Sequence, residues 1–186
     1  VFVPALGRVA EVRRALTGAQ GAELATWDPA SDGPPTVVRL EGVTNFPAAF
    51  AVSADGRVVT VCTSPSTGQK GRVSFHTPAD GRRTAQLPAD DSPGFNHYTQ
   101  LALSADGRIV AGIGTGNFET RFSSIDLFRA ADGQRVYRDS VSELPRVRFA
   151  SCPIFTPDGN TLLYVKREST VGRVDTQSGT AATGPE

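Results

Sequence analysis

Apolar positions along this chain come in short runs broken by Gly, Pro, Asp and Ser, and the runs recur. Residues 50–59 (Phe-Ala-Val-Ser-Ala-Asp-Gly-Arg-Val-Val) align with residues 101–110 (Leu-Ala-Leu-Ser-Ala-Asp-Gly-Arg-Ile-Val). Residues 154–163 are a third copy and residues 2–10 a shorter first one. The anchoring glycines Gly7, Gly56, Gly107 and Gly159 are spaced 49, 51 and 52 residues apart. A second series, Gly33, Gly81, Gly133 and Gly179, follows 26, 25, 26 and 20 residues behind the first. Two registers that repeat together mark one structural unit used four times.

Each unit reads as four short strands. In the second, residues 48–53 form a strand, 54–56 a tight turn, and 57–63 a second strand rich in Val and Thr, which strands favour. Residues 64–71 are a Pro/Gly/Ser loop, 72–77 a third strand, 78–81 a turn and 82–87 a fourth strand. Asp-Gly between apolar runs signals a hairpin, because Gly accepts the positive φ that such turns demand. The first two strands are nearly continuous in apolar residues, as in Ile109-Val-Ala-Gly-Ile, which marks sheets covered on both faces. The outer strands alternate and carry charge, as in Arg135-Val-Tyr-Arg. One window disagrees: Val9, Val12 and Leu16 stand at helical spacing. Its place in the repeat matches a second strand, and the repeat decides for a strand. The fold class is all-β, with units at about residues 1–44, 45–94, 95–146 and 147–186.

Four-strand units of this length, with a Ser/Thr-Ala/Pro-Asp-Gly turn after the first strand, resemble β-propeller blades. The turn is similar to the Ser-Pro-Asp-Gly of tryptophan–aspartate (WD40) repeat proteins and their bacterial relatives. Trp27-Asp28 stands where those repeats close the third strand; the other units have His76-Thr77, Phe128-Arg129 and Val174-Asp175. The Gly-His pair of the strict repeat is absent. The chain therefore resembles the looser bacterial WD40-like propellers. The resemblance implies six to eight blades in a complete ring. Four stacked blades leave an apolar face bare at each end, and exposed apolar area costs ~25 cal/mol per Å². Further blades in a parent chain, or self-association, are expected to close the ring.

Charge and composition narrow the partners. The 186 residues carry 19 Lys+Arg and 19 Asp+Glu, a formal net charge of zero. That excludes the basic excess of a nucleic-acid or polybasic membrane binder. No apolar run approaches the ~18 residues of a membrane span. The chain has no Met and begins Val1-Phe2, which points to a processed or excised segment. Cys62 and Cys152 lack C-x-x-C partners and read as small buried hydrophobes. The expected setting is a soluble domain, cytoplasmic or exported, of a bacterial protein.

Candidate chemistry falls on the loops that the resemblance implies share one propeller face. Asp90, Asp91, Asn96, His97 and Tyr98 lie in one such loop, and Asn117, Glu119 and Arg121 in another. Ordinary polar loop chemistry is the plainer account of them. Ile113-Gly-Thr-Gly-Asn lacks the helix that a phosphate cradle opens into, so Gly112, Gly114 and Gly116 read as close packing and a turn. His76 and His97 have no further ligands at metal-site spacing. No G-x-S-x-G appears, and Asp55, Asp106 and Asp158 recur at one turn position, as turn caps do. No cofactor or metal is expected, and the eight repeated glycines are structural turns. The reading favoured is a non-catalytic scaffold that binds a protein, peptide or small ligand through loops on one face. The alternatives are an accessory propeller of a peptidase-like hydrolase and a lactonase-like catalytic propeller.

Overall fold

The computed structural model describes residues 1–15, 21–64, 71–88, 95–116, 123–141, 153–167 and 170–181. It contains four antiparallel sheets laid down in chain order. The first comprises β1 (Phe2–Val3), β2 (Arg8–Arg14), β3 (Ala22–Trp27) and β4 (Thr36–Arg39). The second comprises β5 (Pro47–Val52), β6 (Val59–Thr63), β7 (Val73–His76) and β8 (Arg83–Gln86). β9 (Phe95–Leu103), β10 (Ile109–Gly116), β11 (Ser123–Arg129) and β12 (Arg135–Val141) make the third. β13 (Ile154–Phe155), β14 (Thr161–Arg167) and β15 (Thr170–Asp175) make the fourth. Every strand pairs with its chain neighbour, so each sheet is a simple meander. The window with helical spacing is strand β2: Val9, Glu11 and Arg13 alternate with Ala10 and Val12, and only the latter pair is buried against the second sheet.

The fourth sheet departs from the expected four strands. Among the described residues it has three, and the chain past β15 makes a single bridge, Val174 to Ala181.

The sheets stack face to face, and the period of two assigns each strand's side chains to one junction or the next. Val3, Ala10, Val12 and Leu24 meet Val59 and Val61 between the first and second sheets. Cys62, Val73 and Phe75 meet Tyr98, Val110 and Phe128 between the second and third. Ala111, Ile113, Ile125 and Leu127 meet Leu162, Tyr164 and Val174 between the third and fourth. A sheet packed on both faces has no solvent side, hence the continuous apolar runs of β6 and β10.

The turns repeat atom for atom. Ser53 Oγ donates to Asp55 Oδ1 at 2.6 Å, and that oxygen accepts the Arg57 N–H at 3.0 Å. Ser104, Asp106 and Arg108 repeat this, as do Thr156, Asp158 and Asn160. Desolvation would raise the Asp106 carboxyl, but the Arg108 N–H, the Ser104 hydroxyl and the Arg108 charge hold it below its ordinary value. The Thr156 hydroxyl and the Asn160 N–H do the same for Asp158.

The second glycine series has a contact role. A Cβ on Gly81 (φ 70°) would lie 2.0 Å from the Arg39 carbonyl oxygen on β4, and one on Gly179 (φ 66°) 2.1 Å from the Val136 carbonyl oxygen on β12. These turns seat on the outermost strand of the preceding sheet, so they need both the positive φ and the missing side chain. Gly33, expected to be equivalent, differs: its φ is not in the left-handed region, and Ser31 Oγ caps its N–H at 3.0 Å.

Candidate functional site

Antiparallel meanders put the β2–β3, β6–β7 and β10–β11 connections, and the links between sheets, at one end of the stack. That end is the loop face. Asp90, Asp91, Asn117, Glu119 and Arg121, expected to converge there, lie outside the described residues. Asn96, His97 and Tyr98 were expected on a loop; they belong to strand β9.

Tyr98 turns away from the loop face. β10 pairs Ile113 with Gln100 but Gly114 with Tyr98, so Thr99 is an extra residue in the ladder. A bulge shifts the alternation by one. Tyr98 and Leu101, three apart, therefore share the junction with the second sheet. The Tyr98 ring lies over Gly112 and meets Phe128 edge to face at 6.0 Å. Its hydroxyl donates to Asp126 Oδ2 at 3.1 Å. Asp126 has no solvent exposure, and Ser124 Oγ donates to the same oxygen at 2.7 Å. The Arg138 guanidinium supplies the countercharge, Nε to Oδ1 and Nη2 to Oδ2 at 3.1 Å. Buried charge is tolerated when paired and hydrogen-bonded in this way. The one signal for the pair in the sequence is Asp126, a charge within the apolar run Ile125-Asp-Leu-Phe.

His97 stays at the loop face, half-buried. Its Cβ lies where a side chain on Gly71 would be, beside the Thr63 carbonyl. Nδ1 is buried, and no hydrogen-bond partner for it stands among the described residues. Desolvation lowers the imidazole pKa, so the ring is neutral at pH 7 and offers one donor and one acceptor nitrogen. Thr63 pairs with Pro47, and the Ser64 N–H donates to the Phe46 carbonyl at 2.7 Å, which brings Phe46 to the same end of the second sheet. Phe46 is 61% exposed. Beside it opens a pocket of about 260 Å³ lined by Arg14, Gly21, Thr44, Asn45 and Phe46. Nothing in the repeat flagged Phe46, because it lies between units.

His76 is structural. It is buried against the first sheet, with Nδ1 at 3.2 Å from the Gly81 carbonyl and Nε2 at 2.8 Å from Ser74 Oγ. A carbonyl only accepts, so Nδ1 carries the proton and Nε2 accepts from the hydroxyl. Burial pushes the Cys62 thiol up to about 12, which leaves it unreactive at neutral pH. Among the described residues no three His, Cys, Asp or Glu side chains are grouped to hold a metal, and no helix is long and apolar enough to cross a membrane.

No protein-family model and no curated protein sequence matches the chain. Solved structures do. The Cps50 (Swd1) β-propeller domain of Myceliophteria thermophila matches over 97% of this chain and 52% of its own, at TM-score 0.60 and 15% identity. The Dos1 propeller matches over 94% of this chain and 41% of its own, at TM-score 0.61 and 12% identity. The fold is a segment of a β-propeller. Its four sheets are blades, and their inner strands β1, β5, β9 and β13 face the propeller axis. Hydrazine synthase of Kuenenia stuttgartiensis also matches, over 92% of this chain and 47% of its own, at TM-score 0.56 and 18% identity. The chain thus spans about half the length of the chains it matches. Identities this low carry the fold alone.

Proposed function

We propose that this propeller segment is a binding scaffold that takes a protein or peptide on its loop face, with Phe46 and His97 as the contacting side chains. The observation that carries the reading is the contrast between the two ends of the stack. At the turn end, the recurring Ser/Thr, Asp and Gly are used up in capping turns and seating blades on one another. At the loop end, an exposed aromatic ring and a neutral imidazole whose buried nitrogen has no partner among the described residues stand at the edges of the second blade. Such a pair suits a ligand with one apolar side chain and one hydrogen-bonding group close by, as a peptide has; aromatic side chains of this kind anchor interfaces. The zero net charge agrees with a protein or peptide partner in preference to nucleic acid. The ring that presents this face is completed by further blades or by self-association.

The test is selection of peptides from a random phage-displayed library on the chain, followed by affinity measurements on Phe46→Ala and His97→Ala. The selected peptides are expected to lose at least about tenfold in affinity on each variant, roughly 1.4 kcal/mol. Peptides that bind both variants as tightly as the parent place recognition elsewhere.

A further inference from the structure

The connection from the first blade to the second builds a pocket at the loop face. Its wall is the end of β2 (Arg14), the start of β3 (Gly21) and the link residues Thr44, Asn45 and Phe46, around about 260 Å³. The pocket is internal to the chain: it opens where the first and second blades meet.

Arg14 owes its place to the alternation of β2. Ala10, Val12 and Arg14 share one face. Ala10 and Val12 are buried against the second blade, and Arg14 ends the row, exposed, at the mouth of the junction. Val9, Val59, Val110 and Leu162 pair with Phe2, Val52, Leu103 and Phe155 on the inner strands. Five residues on, the same position is Arg14, Ser64, Thr115 and Arg167 in the four blades. The fold therefore does not require a cation there. The same register matches Phe46 to His97: the Ser64 N–H donates to the Phe46 carbonyl, and Thr115 pairs with His97. The two loop-face side chains thus hold one repeat position on neighbouring blades, and Arg14 stands beside the first of them.

The charges around this pocket leave a cation unanswered. The Arg14 guanidinium has no hydrogen-bond or ion-pair partner among the described residues. Glu11 and Glu23 alternate onto the opposite face of the sheet, where Glu23 lies 3.8 Å from Arg13. Glu41 accepts the Arg83 N–H at 2.9 Å. Arg39 adds a second cation nearby, with Nη2 3.5 Å from the place of a Cβ on Gly21. Residues 16–20 and 65–70, which join β2 to β3 and β6 to β7, contain no Asp or Glu, and Asp90 and Asp91 lie on the link into the third blade, one junction on.

We infer that this pocket binds a carboxylate, and that the peptide taken by the loop face carries one next to the side chain that meets Phe46. The inference rests on peptide binding at the loop face and deepens it. A planar guanidinium holds both oxygens of a carboxylate in parallel N–H···O bonds, which gives orientation as well as charge. Thr44 and Asn45 stand in the same lining and bring a hydroxyl and an amide to it. The carboxylate is an Asp or Glu side chain or the C-terminus of the peptide; the chemistry is shared.

The experiment selects binders on the chain from two random peptide libraries, one displayed with a blocked C-terminus and one with a free C-terminus. The binders are synthesised and measured by fluorescence anisotropy on the parent, Arg14→Gln and Phe46→Ala. Converting the carboxylate to its amide is expected to weaken binding to the parent at least roughly tenfold, and to Arg14→Gln by less than about twofold. A loss on changing Asp or Glu to Asn or Gln assigns the side chain, and a loss on C-terminal amidation assigns the terminus. Arg14 is an exposed strand end, and circular dichroism checks that the blades stay folded in Arg14→Gln. Binders that weaken on Phe46→Ala but hold Arg14→Gln as tightly as the parent, or whose amide forms lose equally on both, overturn the inference and leave peptide binding at the loop face standing. Libraries that yield no binder, or binders indifferent to both variants, overturn the two together.

Discussion

A Cβ on Gly112 would lie 2.5 Å from the ring of Tyr98, so the two residues share a space that only one side chain can fill. Gly112 lies in the middle of β10 without the positive φ of the turn glycines, so its requirement is steric. Gly112→Ala must push the ring off the blade and is expected to cost roughly 1–3 kcal/mol, as overpacking does. Tyr98→Phe keeps the ring and removes the hydroxyl's bond to a buried carboxylate, for a loss of roughly 1.5–3 kcal/mol. Urea midpoints of the two variants check both; a midpoint unchanged in Gly112→Ala contradicts the packing.

The Asp126–Arg138 pair makes a larger prediction. Asp126 is fully buried, with the Arg138 guanidinium (18% exposed) on it and Arg135 Nη1 at 3.9 Å, so neutralising it removes the carboxylate that both cations face. Asp126→Asn is expected to cost about 3 kcal/mol, and Asp126→Asn with Arg138→Gln less than the sum of the two single losses. A double-mutant cycle by equilibrium unfolding measures this, and strict additivity would mean that the two side chains do not interact.

Both histidines make the fold sensitive to mild acid. Desolvation lowers the pKa of His76, the Arg83 charge adding to it against the Gly81 carbonyl and Glu41, and desolvation lowers that of His97. The unfolded chain therefore takes up these protons at a higher pH than the folded one. Stability is fully present above the ordinary value of 6.5 and is lost as the pH falls from there through the lowered folded values. The melting temperature is expected to drop below about pH 6.5, and less so in His76→Gln. Carbon-13 chemical shifts of the two rings report the titrations directly; a ring that protonates above its ordinary value removes its share of the effect.

Much of the fold was legible in the sequence because the turns are chemically demanding. A positive φ selects Gly and an Asx-capped turn selects Asp, so the meander showed through at every unit, and it outweighed the helical spacing of Val9, Val12 and Leu16. The loop-face site was less legible. Strict alternation puts Tyr98 on the face of Gln100; the extra residue Thr99 puts it with Leu101 instead. Asp126 meets Arg138 only through the register of β11 on β12, and no local motif encodes that register. Gly33 looked like Gly81 in the repeat. The structure separates them: Gly81 has a positive φ and lies against the Arg39 carbonyl oxygen of the first blade, and Gly33 has neither feature.

That difference gives the most direct test of the stacked-blade account. Ala is introduced separately at Gly81 and at Gly33, and the unfolding free energies are compared with the parent in urea. A Cβ at Gly81 meets the Arg39 carbonyl oxygen at 2.0 Å on a backbone with φ 70°, whereas a Cβ at Gly33 meets only the flexible Ser31 hydroxyl at 3.1 Å. The account predicts a loss of at least about 2 kcal/mol for Gly81→Ala and a change within about 0.5 kcal/mol for Gly33→Ala. Equal losses at the two positions, or none at Gly81, would contradict it.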